Sequence, residues 1–236
     1  MSQYNSGRSG TIVRVESTLN SFLRGVYAWM TAGLAVTAGV AWYTAHSPFL
    51  LQLIFGGSFG FILLIVAQLG MVIALSAAIH KMSAGMATCM FLLYSALSGL
   101  TLSLFLLVYP SDVFIKAFAT ASGTFAAFSL YGLLTKRDLT GMGSFMFVGL
   151  IGIIIASLIN WFTKSPALDY AICVIGVIVF LGLTAHDTQK LRLMGESAPM
   201  DDTLAVHRGT IRGALTLYLD FINLFIFLLR IFGNRR

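Results

Sequence analysis

Charge is scarce in this chain. Asp, Glu, Lys and Arg make up 10% of its 236 residues, against 58% hydrophobic, where an ordinary soluble domain carries roughly 25% charged residues. A soluble fold of this length cannot hide so much apolar surface, which excludes a water-soluble globular protein. Cysteine is nearly absent too. The two present, Cys89 and Cys173, both lie inside apolar runs and act as small hydrophobes, so no disulfide framework is expected. The four histidines, His46, His80, His186 and His207, match no zinc spacing, and there is no HExxH and no Cys pair. Neither a Ser, His and Asp order nor a Gly-rich phosphate loop stands out, so the chain reads as a non-enzyme without a cofactor. The net charge is +6, but the basic residues sit singly or in pairs at the ends of apolar runs. That pattern speaks for membrane topology and against nucleic acid.

What the chain has in abundance is long apolar runs. They make it an all-α, polytopic membrane protein of one transmembrane domain, 25–236, behind a polar N-terminal segment, 1–24. Seven crossings are expected near 26–43, 51–79, 84–109, 113–134, 142–162, 167–187 and 213–232. The first run is longer than the core of a signal peptide and is expected to be retained. The second exceeds a straight crossing and opens with Gly56, Gly57, Ser58, Phe59 and Gly60, so a tilt or a bent first segment is expected. The longest polar connection is read as Thr188 to Arg212.

With the N-terminus in the cytoplasm, ten basic residues fall inside: Arg8, Arg14, Arg24, Lys81, Lys136, Arg137, Lys190, Arg192, Arg208 and Arg212. Five fall outside: Lys116, Lys164, Arg230, Arg235 and Arg236. That asymmetry favours the N-terminus inside. Small-residue pairs inside the runs, Gly56 with Gly60, Ser95 with Gly99 and Gly149 with Gly152, are read as sites of close helix packing.

The last run, Ala214 to Gly233, is long enough as a helix to cross a bilayer, yet near its middle it carries Asp220. Helical steps from there put Thr216, Asp220, Asn223, Phe227 and Arg230 on one stripe. An ionised carboxylate at that depth costs at least about 2.5 to 3.5 kcal/mol, so the stripe must face protein or water, and the helix reads as the centre of a bundle. Asp187 ends the sixth run. Helices six and seven share one loop, which puts Asp187 and Asp220 in the same half of the membrane. Two carboxylates within about 4 to 6 Å cannot both ionise cheaply, and a pair that competes for one proton is a switch by construction. A tight calcium cage needs about six to eight oxygens, more than this region offers. Weak, transient cation contact at Asp187 and Asp220 suits the inventory better.

The second run ends in His80 and Lys81, on the side of the sixth-to-seventh loop; ordinary interfacial snorkelling is the favoured reading for Lys81, and pairing of either residue with the aspartates as a latch is the alternative. Gln68, deep in that run, is either a hydrogen-bonded packing residue or part of a path. Asn223 and His186 complete the set of candidate latch and pathway residues.

The run Leu217, Tyr218, Leu219, Asp220, Phe221, Ile222, Asn223, Leu224, Phe225, followed by Leu228, Leu229, Arg230 and Gly233, resembles the closing signature of the Bax inhibitor-1 family, bacterial branch. The seven crossings and Asp187 match as well. The resemblance implies a central seventh helix wrapped by six others, in the bacterial inner membrane. It also implies a pH-sensitive calcium leak gated by the aspartates of helices six and seven, here Asp187 and Asp220. Such relatives carry an acidic residue within helix two and an arginine latch near its end. Here those positions hold Gln68 and, about Ile79, the neighbours His80 and Lys81. Some bacterial relatives instead partner a membrane protease, so the expected function is a pH-regulated cation leak, with a non-transporting regulatory or stress-survival role as the alternative. An intramembrane hydrolase built on the two aspartates ranks third.

Overall fold

The computed structural model describes residues 3–197 and 202–233, with the side chains of 3–18, Ser58 and His80 left out. The Arg8 and Arg14 side chains, Pro199, Arg235, Arg236 and the His80 imidazole therefore lie outside the described residues. Every regular element among the described residues is helical: α1 (Gln3–Ala45), α2 (Pro48–Phe55), α3 (Ser58–Ala78), a 3-10 turn (Ile79–Lys81), α4 (Ala84–Val108), α5 (Ser111–Leu134), α6 (Thr140–Thr163), α7 (Pro166–Glu196) and α8 (Thr203–Gly233). Seven of the helices are long and apolar enough to cross a membrane, all but α2. The protein is an all-α polytopic membrane protein.

Proline sets three of the helix starts. Pro48 occupies the first turn of α2 behind Ser47, whose hydroxyl accepts from the Leu50 N–H; Pro110 immediately precedes α5, and Pro166 opens α7. A missing N–H costs nothing at a helix start, and the fixed φ suits it. The expected second crossing, 51–79, is in fact two helices, α2 and α3, parted at Gly56 and Gly57. α2 buries none of its residues. The polar connection expected from Thr188 to Arg212 is mostly helix: α7 continues to Glu196 and α8 begins at Thr203. Hydropathy sees only the bilayer-thick part of a helix, whereas these polar turns continue the backbone hydrogen bonding beyond it.

The chain divides into two compact units. The first comprises residues 1–105 and 191–215. Here α1 presents a buried face of Phe22, Val26, Met30, Thr37, Ala41 and Thr44. Close approach to α4 depends on small residues. A β-carbon at Gly99 would stand 2.6 Å from the Thr37 carbonyl oxygen, and the Thr37 hydroxyl donates to the Ser95 carbonyl at 2.8 Å. Ser95 and Gly99 are thus packing residues of this contact. Arg208, in the first turns of α8, donates through Nε to the Met82 carbonyl at 2.6 Å, tying down the link between α3 and α4.

The second unit comprises 106–190 and 216–236. In it Phe221 of α8 meets Phe118 and Phe125 of α5 edge to face, at 5.8 and 5.5 Å between ring centres. Phe225 meets Phe114 at 5.0 Å. α7 lies close to α5, because a β-carbon at Gly132 would fall 2.2 Å from the Ala185 carbonyl oxygen. It lies close to α6 where Gly149 meets Val179, whereas Gly152 meets nothing within 4 Å. Along α8, Leu217, Tyr218, Leu224 and Leu229 are fully buried. Its hydrophobic window is 61% buried against 11% for α3 and α6. Asp220, on the polar stripe with Thr216 and Asn223, is thus kept from lipid, as a carboxylate at that depth demands.

Candidate functional site

Asp220 sits in α8 between residues that leave it almost no access to solvent. It is 5% exposed, and its Oδ2 has no hydrogen-bond partner. The aromatic contacts of Phe221 with α5 hold this turn in place. Asp187 of α7 is the charged neighbour that acts on Asp220, so the second unit brings the two carboxyl groups into electrostatic range. A carboxyl oxygen buried in this way is costly unless a proton, a water or a cation satisfies it.

Asp187 differs from Asp220 in having partners. Its Oδ1 lies 2.8 Å from His186 Nδ1, with both side chains about one-fifth exposed, at 19% and 21%, and Lys190 adds a favourable charge from the same helix. The next two residues lock this part of α7 in place. Thr188 shares a hydrogen bond with Ser129 of α5 at 3.2 Å. Gln189 accepts from the Leu139 N–H at 2.9 Å and donates to the Arg137 carbonyl at 2.8 Å. That link also carries Asp138, exposed, which accepts from both the Thr140 N–H and its hydroxyl, at 2.9 and 2.6 Å. The Thr140 hydroxyl, then its N–H, and the nearby His186 hold the Asp138 carboxyl below its ordinary range.

The other candidate residues have separate occupations. Asn223 donates to the Leu219 carbonyl of its own helix at 2.8 Å. Gln68, in the first unit, donates to the Thr101 hydroxyl of α4 at 2.9 Å. Lys81, in the same unit, is exposed. A second polar cluster stands at the other end of the second unit. Arg230 of α8 donates to Asp169 of α7, which also accepts from Asn160 of α6 at 3.4 Å. Burial pushes the phenol of nearby Tyr109 up, against the Arg230 charge that lowers it. Among the described residues, no three His, Cys, Asp or Glu side chains come together as a metal site would require.

A family model described as inhibitor of apoptosis-promoting Bax1 matches residues 19–236. The chain belongs to the Bax inhibitor-1 family. Inner membrane protein YbhL of Escherichia coli strain K12 is 54% identical over 97% of this chain and 98% of its own length. A protein of Borreliella burgdorferi is 44% identical over 92% of this chain and 93% of its own. YrjE of Lactococcus lactis is 38% identical over 91% of each.

In this Bax inhibitor-1 family chain, sequence reasoning passed over the residues that seat the pair. Gly143 of α6 lies under the His186 ring, where a β-carbon would stand 2.3 Å from Cδ2. Gln189 and Ser129 were missed as well. A polar residue two positions after Asp187 is the one signal available for Gln189; Gly143 has none, because a glycine reads alike whether it faces a ring or lipid.

Proposed function

We propose that this chain is a multi-pass inner-membrane protein, with its N-terminus in the cytoplasm, that acts without enzymatic chemistry as a proton-regulated cation leak. The observation that carries the reading is the buried, partnerless Oδ2 of Asp220 with Asp187 as its charged neighbour. A proton shared by the two carboxyl groups removes their repulsion, and its departure restores that repulsion. α7 and α8 therefore carry a two-state element biased by pH, which is what a switch needs. A weakly held cation, calcium in the first instance, is the other species able to relieve it. The inner-membrane assignment follows from the resemblance to YbhL.

The test is reconstitution in liposomes loaded with a calcium dye. Flux should change with pH in the wild-type protein and lose that dependence in Asp220→Asn. A flux indifferent to pH, or an unchanged pH profile in the variant, sinks the reading.

The second reading is a regulator that acts through a membrane protein partner such as a protease. Gln68 favours it, since an uncharged amide brings no charge to attract a divalent ion. Deleting residues 1–24 should then abolish partner capture and leave any flux intact.

A further inference from the structure

We propose that His186 is a positioning residue of the aspartate pair: seated on Gly143, its imidazole fixes the orientation of the Asp187 side chain and so sets how Asp187 acts on Asp220. This rests on the proton-sharing part of the reading above. Consecutive side chains on a helix diverge and do not normally face each other. The 2.8 Å contact between His186 Nδ1 and Asp187 Oδ1 is therefore no default of helical geometry. Something has to hold the ring, and Gly143 does so. A β-carbon there would lie 2.3 Å from Cδ2 and 2.5 Å from Cγ and Nε2, so any other residue at 143 displaces the imidazole.

The backbone under the pair is fixed independently, by Thr188 on Ser129 and by Gln189 on the link between α5 and α6. The charged groups around the ring and its carboxylate are Asp187 and Lys190 from its own helix and Asp138 from that link; α6 offers the glycine, and Asp187 in turn acts on Asp220 of α8. A carboxylate can only accept, so against ionised Asp187 the ring presents Nδ1–H. Oδ1 is then engaged and the carboxylate plane is set.

The experiment is an infrared titration of the protonated carboxyl band of the full-length protein in lipid. It reads the shared proton whether or not ions flow. The variants are His186→Ala, His186→Asn, Gly143→Ala, the double variant His186→Ala with Gly143→Ala, and Asp220→Asn. His186→Ala should move the titration midpoint by roughly half a pH unit or more, about threefold in proton activity. His186→Asn keeps an N–H near the place of Nδ1 and should stay close to wild type. Gly143→Ala should reproduce the His186→Ala shift, and the double variant should match His186→Ala, because the ring that the methyl displaces is gone. If Gly143→Ala fails to fold, the Ala and Asn variants at 186 carry the test. A wild-type midpoint in His186→Ala overturns the proposal, as does His186→Asn behaving like His186→Ala. An unaltered titration in Asp220→Asn overturns the proton-sharing reading itself, and the role of His186 with it.

Discussion

Gln189 of α7 and Leu139, the residue ahead of α6, are joined by a hydrogen bond from a backbone N–H to a side-chain amide oxygen at 2.9 Å, both residues being buried. The other half of the same amide donates to the Arg137 carbonyl at 2.8 Å. One side chain thus satisfies two backbone groups of the link between α5 and α6. Gln189→Met, of similar shape, should leave the Leu139 N–H unpaired and cost about 1–3 kcal/mol. For a chain of this size each kcal/mol moves the midpoint by roughly 2–4 °C. Thermal unfolding in detergent should therefore show a drop of several degrees, and a midpoint equal to wild type would refute the assignment.

Asp138 gives a pH dependence of known sign. Its carboxyl is held below the ordinary 3.8 by the Thr140 hydroxyl and N–H. A depressed acid contributes stability that is fully present above its unfolded value and is lost as pH falls through the folded one. Wild type should therefore be the more stable of wild type and Asp138→Asn at neutral pH, with the gap closing as pH falls below about 4. Amide exchange at Thr140 across that range checks it: faster exchange in the variant at neutral pH and equal rates in acid are expected. The effect is confined to the start of α6, because Asp138 is exposed.

The fold was legible where its cause is local. Pro48, Pro110 and Pro166 mark helix starts because a pyrrolidine acts on its own residue and the one before, and the apolar runs mark seven spans because bilayer thickness acts on composition. The extensions of α7 to Glu196 and α8 back to Thr203 were not legible. Residues such as His207 and Arg208 are polar by composition yet belong to a packed helix, His207 sharing a hydrogen bond with Thr88 at 3.0 Å. Asp220 could be found because a carboxylate deep in an apolar run is costly, and Asp187 because it ends the run that shares a loop with that helix. Gly143, Gln189 and Ser129 could not, since what they do depends on which helix faces them.

Arg230 and Asp169 should behave as a clamp separate from the aspartate pair. Both side chains are about 30% exposed, at 29% and 30%, so the pair is only partly screened by solvent. Arg230→Ala leaves Asp169 with Asn160 as its remaining side-chain donor among the described residues. The expected cost is roughly 1.5–3 kcal/mol, the range for a hydrogen bond to a charged group. The unfolding midpoint should fall and the pH profile of the titration should stay as in wild type. A shift of that profile by Arg230→Ala would mean the two clusters are linked.

Two glycines of the second unit should respond differently to the same added methyl. At Gly132 the new β-carbon would lie 2.2 Å from the Ala185 carbonyl oxygen, and a backbone atom in a helix cannot move without its neighbours. At Gly182 it would lie 2.7 Å from the Cγ and sulfur of Met146, an unbranched side chain that can change rotamer. Alanine is also the better helix former by about 1 kcal/mol, a gain available at both positions. Overpacking costs typically about 1–3 kcal/mol and more where nothing yields, so it exceeds that gain at 132 and is largely relieved at 182. Gly132→Ala should lower the unfolding midpoint by several degrees and Gly182→Ala should leave it unchanged or raise it. Equal effects at the two sites would mean that α5 and α7 are not in backbone contact at Ala185.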